Sequence, residues 1–384
     1  MGYDPMDNPG TIASTYLVDN EYSIQIIRWI LKAINLWPRS TDISMVEKAR
    51  SKFLIFICYF LMIATMVPSG LSIFMESQET FEVKLRSFGP LTFWFMAMIN
   101  YSCLLMHVDD IRSCVKHVKM DWRLIKKVEE RQIMLKNAKI DILYIDNSSV
   151  MVRALPYPFY SKILNAHFSP AYEFVFFLQC FSTFVVNSVT VATCGLAAVF
   201  VMHACGQLKI LMSWLDDLLD GQNEEKNSIK QRFAIIVEHH LRVLRLVSHT
   251  ERITNIICLV ELVGCTMHIC LLGYYCIMDW VQDNKHNIIS YCIILTSVTF
   301  NIFIFCYIGE VLSEQGGQVG KSAYMTNWYL LPGKTALGLV LIILRSNTAL
   351  KITAGNIVQL SFVTFGDVIK SALAYLNIFR TLIT

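Results

Sequence analysis

The chain has 384 residues, of which 54% are hydrophobic and 16% are charged, and its formal net charge is +3 at pH 7. Soluble domains average about 45–50% apolar and about 25% charged residues, so this chain has too few charges to cover a water-facing surface. The composition argues against a soluble enzyme, a disordered scaffold and a nucleic-acid-binding protein, and it indicates a membrane protein.

The predicted spans begin at residue 53. The first 24 residues lack a basic segment followed by an apolar core, so we expect no cleaved signal peptide, and the first span is predicted to act as a signal anchor. A transmembrane helix needs about 20 mostly apolar residues. Five runs meet this requirement: 53–75, 85–107, 172–203, 253–281 and 287–312.

The C-terminal third is interrupted by glycines and prolines. A short apolar run (335–344) and a polar turn (345–356) lead to a last apolar helix at about 360–383. We therefore predict an all-α, polytopic membrane protein with six recognisable spans, whose last segment is split into a cytosolic-side helix and a terminal helix. Its parts are an N-terminal segment (1–52), a transmembrane bundle (53–312) and the split segment (313–384).

The basic residues near the span ends predict the orientation, because Lys and Arg are enriched on the cytosolic side. Basic residues are dense in the N-terminal segment and in two helical extensions of the spans, 108–139 and 204–252. All three stretches are predicted to be cytosolic.

These assignments leave one crossing unaccounted for. The two basic extensions are separated by one apolar run, 172–203, which must then begin outside, so 141–170 is predicted to be extracellular. The sequon at Asn147 supports this, since N-glycosylation needs a lumenal face. The chain would have to cross the membrane between Lys139, on the inside, and Asp141, on the outside, and the sequence has no span-length apolar run there. The alternative is a chance sequon, a cytosolic 141–170 and inverted later spans, against the positive-inside bias.

The twelve cysteines predict neither a disulfide framework nor a metal site. Most lie inside apolar runs, where a free cysteine behaves as a small hydrophobic residue: Cys58, Cys103, Cys180, Cys194, Cys258, Cys265, Cys270, Cys292 and Cys306. No Cys/His ligand spacing, phosphate-binding loop or nucleophile–base arrangement is evident. We expect no metal, no cofactor and no enzymatic activity.

Short motifs from Tyr307 onward identify a family. They are Tyr307-Ile308-Gly309-Glu310, Ala323-Tyr324, Trp328-Tyr329, Leu331-Pro332, Arg345-Ser346, Thr353-Ala354-Gly355, Leu360-Ser361, Thr364-Phe365 and Tyr375-Leu376. Ser169-Pro170-Ala171-Tyr172-Glu173, His203-Ala204-Cys205-Gly206-Gln207-Leu208 and Glu238-His239-His240 agree with them. On these residues the chain resembles an insect odorant receptor of the ligand-tuned, hymenopteran-like kind.

The resemblance implies seven helices, a cytosolic N-terminus and no relation to G-protein-coupled receptors. It also implies a subunit of a tetrameric, odorant-gated, non-selective cation channel, which binds a small volatile ligand and assembles with a co-receptor. Such channels belong to the plasma membrane of the olfactory sensory neuron dendrite, surrounded by lipid. In the family, the third helix forms one wall of the odorant pocket. It belongs between Lys139 and Asp141, and this sequence has no such helix there. Ala349 and Asn356 also replace a usual Pro and Lys.

The terminal helix is the predicted pore helix. One helical stripe carries side chains at spacings of 4, 3 and 4: Ser371, Tyr375, Ile378 and Leu382. The resemblance places the gate at Ile378 and Leu382, where a ring of apolar side chains can close a pore by dewetting. The competing interpretation is an ordinary packing stripe. Lys370 is costly to expose to lipid and is expected at a polar subunit interface or at the aqueous edge.

The odorant pocket is predicted in the outer half of the bundle. Its candidates are mostly aromatic: Phe88, Phe93, Trp94, Phe177, Phe181, Phe184, Tyr274 and Thr296. Each of them could equally be a core or lipid-facing residue. Shape and dispersion would dominate the binding of small apolar ligands, with one or two polar groups to orient them.

Further polar and aromatic residues carry hypotheses of their own. Glu261 lies within an apolar run, and an intramembrane carboxylate is a functional candidate by default, although it could equally be neutral, or satisfied by a neighbouring hydroxyl or backbone group. His239 and His240 lack a third ligand at suitable spacing, so metal binding there is disfavoured. The cytosolic ends of the last helices are expected to anchor the tetramer, with packing residues Trp214, Trp328 and Tyr329.

Three other functions compete with the channel subunit. A G-protein-coupled receptor is disfavoured because the sequence lacks that class's Asp/Glu-Arg-Tyr and Asn-Pro-x-x-Tyr motifs. A transporter is disfavoured by the lack of internal repeats. A non-functional paralogue differs in composition in no way from a working receptor, and only the missing crossing favours it. Exon skipping, a gene-model error or gene decay would each explain that missing crossing.

Overall fold

The fold is a bundle of long helices. The computed structural model describes residues 25, 27–37, 44–75, 81–124, 133, 171–219, 226–281, 285–348 and 350–383, with the side chains of 81–83, 171, 226–228 and 382–383 excepted. The helices are α1 (Met45–Met75), α2 (Phe81–Met106), α3 (Val108–Leu124), α4 (Ala171–Asp216), α5 (Lys226–Val281), α6 (Lys285–Met325), α7 (Gly333–Asn347) and α8 (Phe362–Ile383). A short helix at 27–33, two 3-10 turns, Asp217–Leu219 and Trp328–Leu330, and strands β1 (Thr353–Ala354) and β2 (Val358–Gln359) complete the described fold.

Six of these helices are long and apolar enough to cross a membrane: α1, α2, α4, α5, α6 and α8. The prediction of an all-α bundle is therefore confirmed, with six span-length helices in the part of the chain that the structure describes. At 1.5 Å per residue, the 46 residues of α4 extend about 69 Å, which is more than twice the hydrocarbon thickness of about 30 Å. The long helices consequently continue well past the bilayer as single rods.

Side-chain contacts define the two ends of the bundle. At one end, which we call the basic end, Asp110 of α3 contacts His249 and Arg252 of α5. At the opposite end, which we call the far end, Arg86 near the start of α2 pairs with Asp279 near the end of α5. Helix α2 therefore runs from the far end to the basic end, and α5 runs the other way.

Helix α4 runs parallel to α2. Asp121 of α3 lies 3.0 Å from His203 of α4 at the basic end. The first residue of α4, Ala171, is 32 residues away from His203, or about 48 Å along the helix. Helix α4 therefore begins at the far end and runs toward the basic end, as α2 does. This agrees with the first topology and disagrees with the one in which α4 is inserted in the opposite direction.

A small hairpin connects α7 to α8. Thr353 pairs with Gln359 in β1 and β2, and Gly355 and Asn356 between the strands have φ of +63° and +58°. Both residue types tolerate positive φ, which accounts for asparagine at 356, where the family usually has lysine. The Asn255 side chain of α5 donates to Asn356 Oδ1 at 2.8 Å, which fixes the hairpin on α5.

Candidate functional site

Polar and aromatic groups of α2 and α5 meet near the far end. The His268 Nε2 atom lies 3.1 Å from both the Thr92 hydroxyl and the Gly89 carbonyl. The ring of Phe93 meets the His268 ring edge to face at 5.9 Å. Tyr275 donates to the Leu85 carbonyl at 2.6 Å. The packed cluster is mostly aromatic with a few fixed polar groups, a composition that is usual for the walls of small-ligand sites.

An ion pair closes this region toward the far end. The Arg86 guanidinium binds both carboxylate oxygens of Asp279, whose side chain is almost fully buried, and lies 3.5 Å from the Tyr291 hydroxyl. The pair was not among the predicted site residues. The signal was present in the sequence, because Asp279 lies inside the apolar run 253–281 as Glu261 does.

The structure separates the eight predicted pocket residues into two groups. Four point toward the interior. Phe88 and Tyr274 pack in a far-end cluster, and Phe93 and Trp94 pack in the main core. The other four are on the outer surface of the described bundle, the three phenylalanines being 60–62% exposed: Phe177, Phe181, Phe184 and Thr296. Helical spacing places the three phenylalanines on one face of α4, away from the first group.

Glu261 is the centre of a buried polar network that joins three helices. Asn100 of α2 donates to one carboxylate oxygen at 2.7 Å, and Asn301 of α6 donates to the other at 2.8 Å. Cys265, one turn along α5, lies 3.7 Å from the second oxygen. The structure therefore shows a carboxyl group satisfied by two side-chain amides, rather than by the hydroxyl or backbone group that was expected as an alternative. Its partners were not predicted, because they depend on the register between helices.

Helix α8 has one packed face and one open face. Ala372, Leu376 and Phe379 pack toward the bundle, whereas the predicted pore residues Ser371, Tyr375 and Ile378 are exposed. The side chain of Leu382 lies outside the described residues. The open face also carries polar side chains: Asp367, Lys370, Asn377 and Thr381. Lys370 forms an exposed ion pair with Asp367 at 3.5 Å.

The exposed face of α1 provides a comparison. Its large exposed side chains between 53 and 67 are all apolar: Phe53, Phe56, Phe60, Ile63 and Val67. That composition is compatible with lipid, whereas ionisable side chains at membrane depth face a bundle interior or water. The open face of α8 thus differs in kind from a lipid-facing surface.

A second buried network lies at the basic end. Asp121 contacts His203 at 3.0 Å and Arg242 at 3.5 Å. Burial raises the pKa of the Asp121 carboxyl, but the hydrogen bond from His203 and the positive charges of His203 and Arg242 lower it more, so the pKa lies below the ordinary value of 3.8. The network ties α3 to α4 and α5.

We expect Asp121→Asn to destabilise the protein at pH 7 by about 1–3 kcal/mol, because His203 and Arg242 lose their charged partner. Because the pKa of Asp121 is lower in the folded protein, its ionised carboxylate stabilises the fold above pH 3.8. This contribution is lost as the pH falls through the lower folded-state pKa. The melting temperature of the purified protein should therefore fall less steeply in acid for Asp121→Asn than for the unmodified chain. Asp109→Asn, at an exposed pair with Arg112, is the control and should differ by under about 0.5 kcal/mol.

The remaining predicted residues are placed as follows. Within the described residues, no three His, Cys, Asp or Glu side chains are grouped so as to hold a metal ion. His239 lies 3.2 Å from the Gln207 carbonyl and stacks near Trp214, with 4.8 Å between ring centroids. Trp328 and Tyr329 are exposed at the basic end. Asn147 lies outside the described residues.

Solved structures share this fold. The insect olfactory receptor OR5 of Machilis hrabei matches with a TM-score of 0.75, covering 95% of this chain and 98% of that chain at 14% sequence identity. A second structure, of the same receptor in complex with eugenol, matches with a TM-score of 0.73 at 13% identity, covering 96% of this chain and 100% of that chain.

Sequence comparisons identify the family. Odorant receptor 10 of Aedes albopictus is 25% identical over 231 residues, 60% of this chain and 60% of the relative. Odorant receptor 82a of Drosophila melanogaster is 26% identical over 214 residues, 56% of this chain and 54% of the relative. The chain thus matches somewhat more than half the length of these relatives. The family model described as 7tm Odorant receptor matches residues 80–373, and the chain therefore belongs to the insect odorant receptor family.

Proposed function

We propose that this chain is the ligand-tuned subunit of an odorant-gated, non-selective cation channel in the plasma membrane. The observation that carries the proposal is the open face of α8, which exposes Asp367, Lys370 and Asn377 on a helix otherwise suited to cross a membrane. A single chain cannot shield such a face from lipid, but several subunits around a common axis can turn it toward water.

The orientation follows from the charges. Placing the basic end in the cytosol satisfies the positive-inside rule and puts the far end outside. A ligand entering from outside then reaches the region between α2 and α5, where Phe88, Phe93 and His268 lie. The Machilis hrabei receptor is solved with eugenol, a small aromatic molecule of the class that aromatic walls with a few polar groups would bind.

The partner subunit is proposed to bind at the basic end, through α7. Gly338 of α7 packs against Phe233 of α5, which lies 20 residues, or about 30 Å, before the apolar run that starts at 253. Helix α7 is therefore outside the bilayer, yet it exposes an apolar stripe: Leu337, Val340, Leu341 and Leu344. An apolar stripe in water indicates a protein interface, here with the co-receptor.

We expect Leu341→Asp to reduce co-purification with the co-receptor by roughly tenfold or more, because it places a charge in the apolar centre of the interface. Leu341 is exposed in the single chain, so the variant should reach normal expression. Asn347→Asp, at another exposed position of α7, is the matched control and should co-purify normally. Equal recovery of both variants would contradict an interface at α7.

The channel function is tested by expressing the chain with a co-receptor in oocytes and applying a panel of volatile aromatic and aliphatic compounds. We expect an inward cation current that the co-receptor alone does not give to the same ligands. Normal surface expression without a ligand-evoked current would contradict the proposal and favour a non-functional paralogue lacking one wall of the pocket.

A further inference from the structure

Two cysteines meet at the far end of the bundle, on neighbouring helices. Helix α5 ends at Val281 and α6 begins at Lys285, and the rings of Tyr275 and Tyr291 are in tilted contact at 5.5 Å between centroids. The next residue on each helix is a cysteine, so on these antiparallel helices Cys276 and Cys292 lie on the same side of the ring contact, and the two side chains interact. Both are free thiols in this structure, Cys276 partly buried and Cys292 exposed.

The pair lies near the far-end boundary of the spans, since Cys276 and Cys292 are each five residues, or about 7.5 Å along the helix, from the span ends at 281 and 287. Cys276 lies one turn of α5 before Asp279, whose carboxylate pairs with Arg86. Lys285 and His286 are the first two residues of α6, at the same end of the bundle. An ion pair and basic residues mark the polar boundary of a membrane protein rather than its hydrocarbon centre. Cys258 and Cys265, by contrast, are buried deeper along α5.

The proposed orientation places this end in the lumen of the secretory pathway and then outside the cell, where disulfides form and persist. We propose that Cys276 and Cys292 are joined by a disulfide bond in the mature protein, which links α5 to α6 beside the candidate ligand site. This inference rests on the proposed function only for its orientation; the proximity of the two thiols comes from the fold.

The oxidation proceeds by thiol–disulfide exchange with a lumenal oxidoreductase that carries a disulfide. The exposed Cys292 thiolate attacks one sulfur of that disulfide, forming a mixed disulfide and releasing the enzyme's other sulfur as a thiolate. The Cys276 thiolate then attacks the Cys292 sulfur and displaces the enzyme's remaining thiolate. Two thiols lose two protons and two electrons, and the oxidoreductase leaves as a dithiol.

The test counts oxidised thiols in the full-length protein expressed in insect cells. Membranes are denatured with N-ethylmaleimide to block free thiols, and the protein is then reduced and labelled with a polyethylene-glycol maleimide. We expect two newly labelled thiols in the unmodified chain and none in Cys276→Ser or Cys292→Ser. Cys180→Ser, an exposed cysteine toward the far end of α4, is the control and should keep both labels.

Peptide mass spectrometry without reduction should find residue 276 linked to residue 292. A chain without reduction-dependent labelling, or one with a different linked pair, overturns the proposal. Oxidation of the purified protein with copper phenanthroline separates the causes of failure. A cross-link that forms in the purified protein but not in cells would contradict the proposed orientation. The absence of a cross-link even in the purified protein would contradict the proximity of the two thiols. A ligand-evoked current from a chain that shows no reduction-dependent labelling would overturn the disulfide and leave the proposed channel function intact.

Discussion

Glu261→Leu is expected to abolish folded receptor at the cell surface. The substitution leaves the donors of Asn100 and Asn301 without their acceptors in a buried site. Each unpaired buried polar group costs about 1–3 kcal/mol, so the loss should be about 2–6 kcal/mol, a large fraction of the stability of an ordinary domain. Surface labelling and the melting temperature of the detergent-solubilised protein measure the effect.

Glu261→Gln is the matched control, and it is expected to stay within about 1 kcal/mol of the unmodified chain. A glutamine oxygen can accept from Asn301, and its amide can donate to Asn100 if that side chain is rotated. The rotation is available because Asn100 Oδ1 has no hydrogen-bond partner among the described residues. If Gln and Leu at this position were equally damaging, the carboxylate charge rather than the hydrogen-bond network would be what the fold requires.

Ile378→Ala is expected to raise the current in the absence of ligand several-fold. In the proposed channel, Ile378 points from the open face of α8 toward the axis, where apolar side chains close the pore by excluding water. A smaller side chain widens the constriction and lets water and ions enter. The measurement is the holding current of cells that express the variant with a co-receptor, normalised to surface protein.

Leu373→Ala provides the control on the same helix. Leu373 is exposed like Ile378, but it lies about 140° around the helix from it, away from the proposed axis. Its truncation should leave the ligand-independent current unchanged. Equal effects of both truncations would indicate general loosening of α8, and no effect of either would contradict a gate at Ile378.

The sequence predicted the spans well because length and hydropathy suffice for them. Runs of about 20 apolar residues predicted all six membrane-suited helices. The missing crossing, which was inferred from the basic stretches on either side of 172–203, stays a prediction. The hymenopteran-like character stays a prediction, since the relatives described above are mosquito and fruit-fly receptors.

The pocket was harder to predict because lipid and a protein core are both apolar. Phe177, Phe181 and Phe184 lie on α4, which is apolar around most of its circumference, so its sequence does not indicate which face is packed. Phe93 and Trp94 are aromatic in the same way, yet they point inward. Polar residues were more informative: Glu261 was found by its position in an apolar run, and the same rule applied to Asp279 would have found the Arg86 ion pair.

The central claim, that the open face of α8 lines a water-filled pore, is tested most directly by cysteine accessibility at Ser371. Ser371→Cys is expressed with a co-receptor and treated during ligand application with a charged, membrane-impermeant methanethiosulfonate reagent, with the unmodified chain and Phe60→Cys on the exposed face of α1 as controls. The account predicts a rapid, irreversible change of the ligand-evoked current in Ser371→Cys alone. An unchanged current in Ser371→Cys at normal surface expression, or the same change in Phe60→Cys, would contradict it.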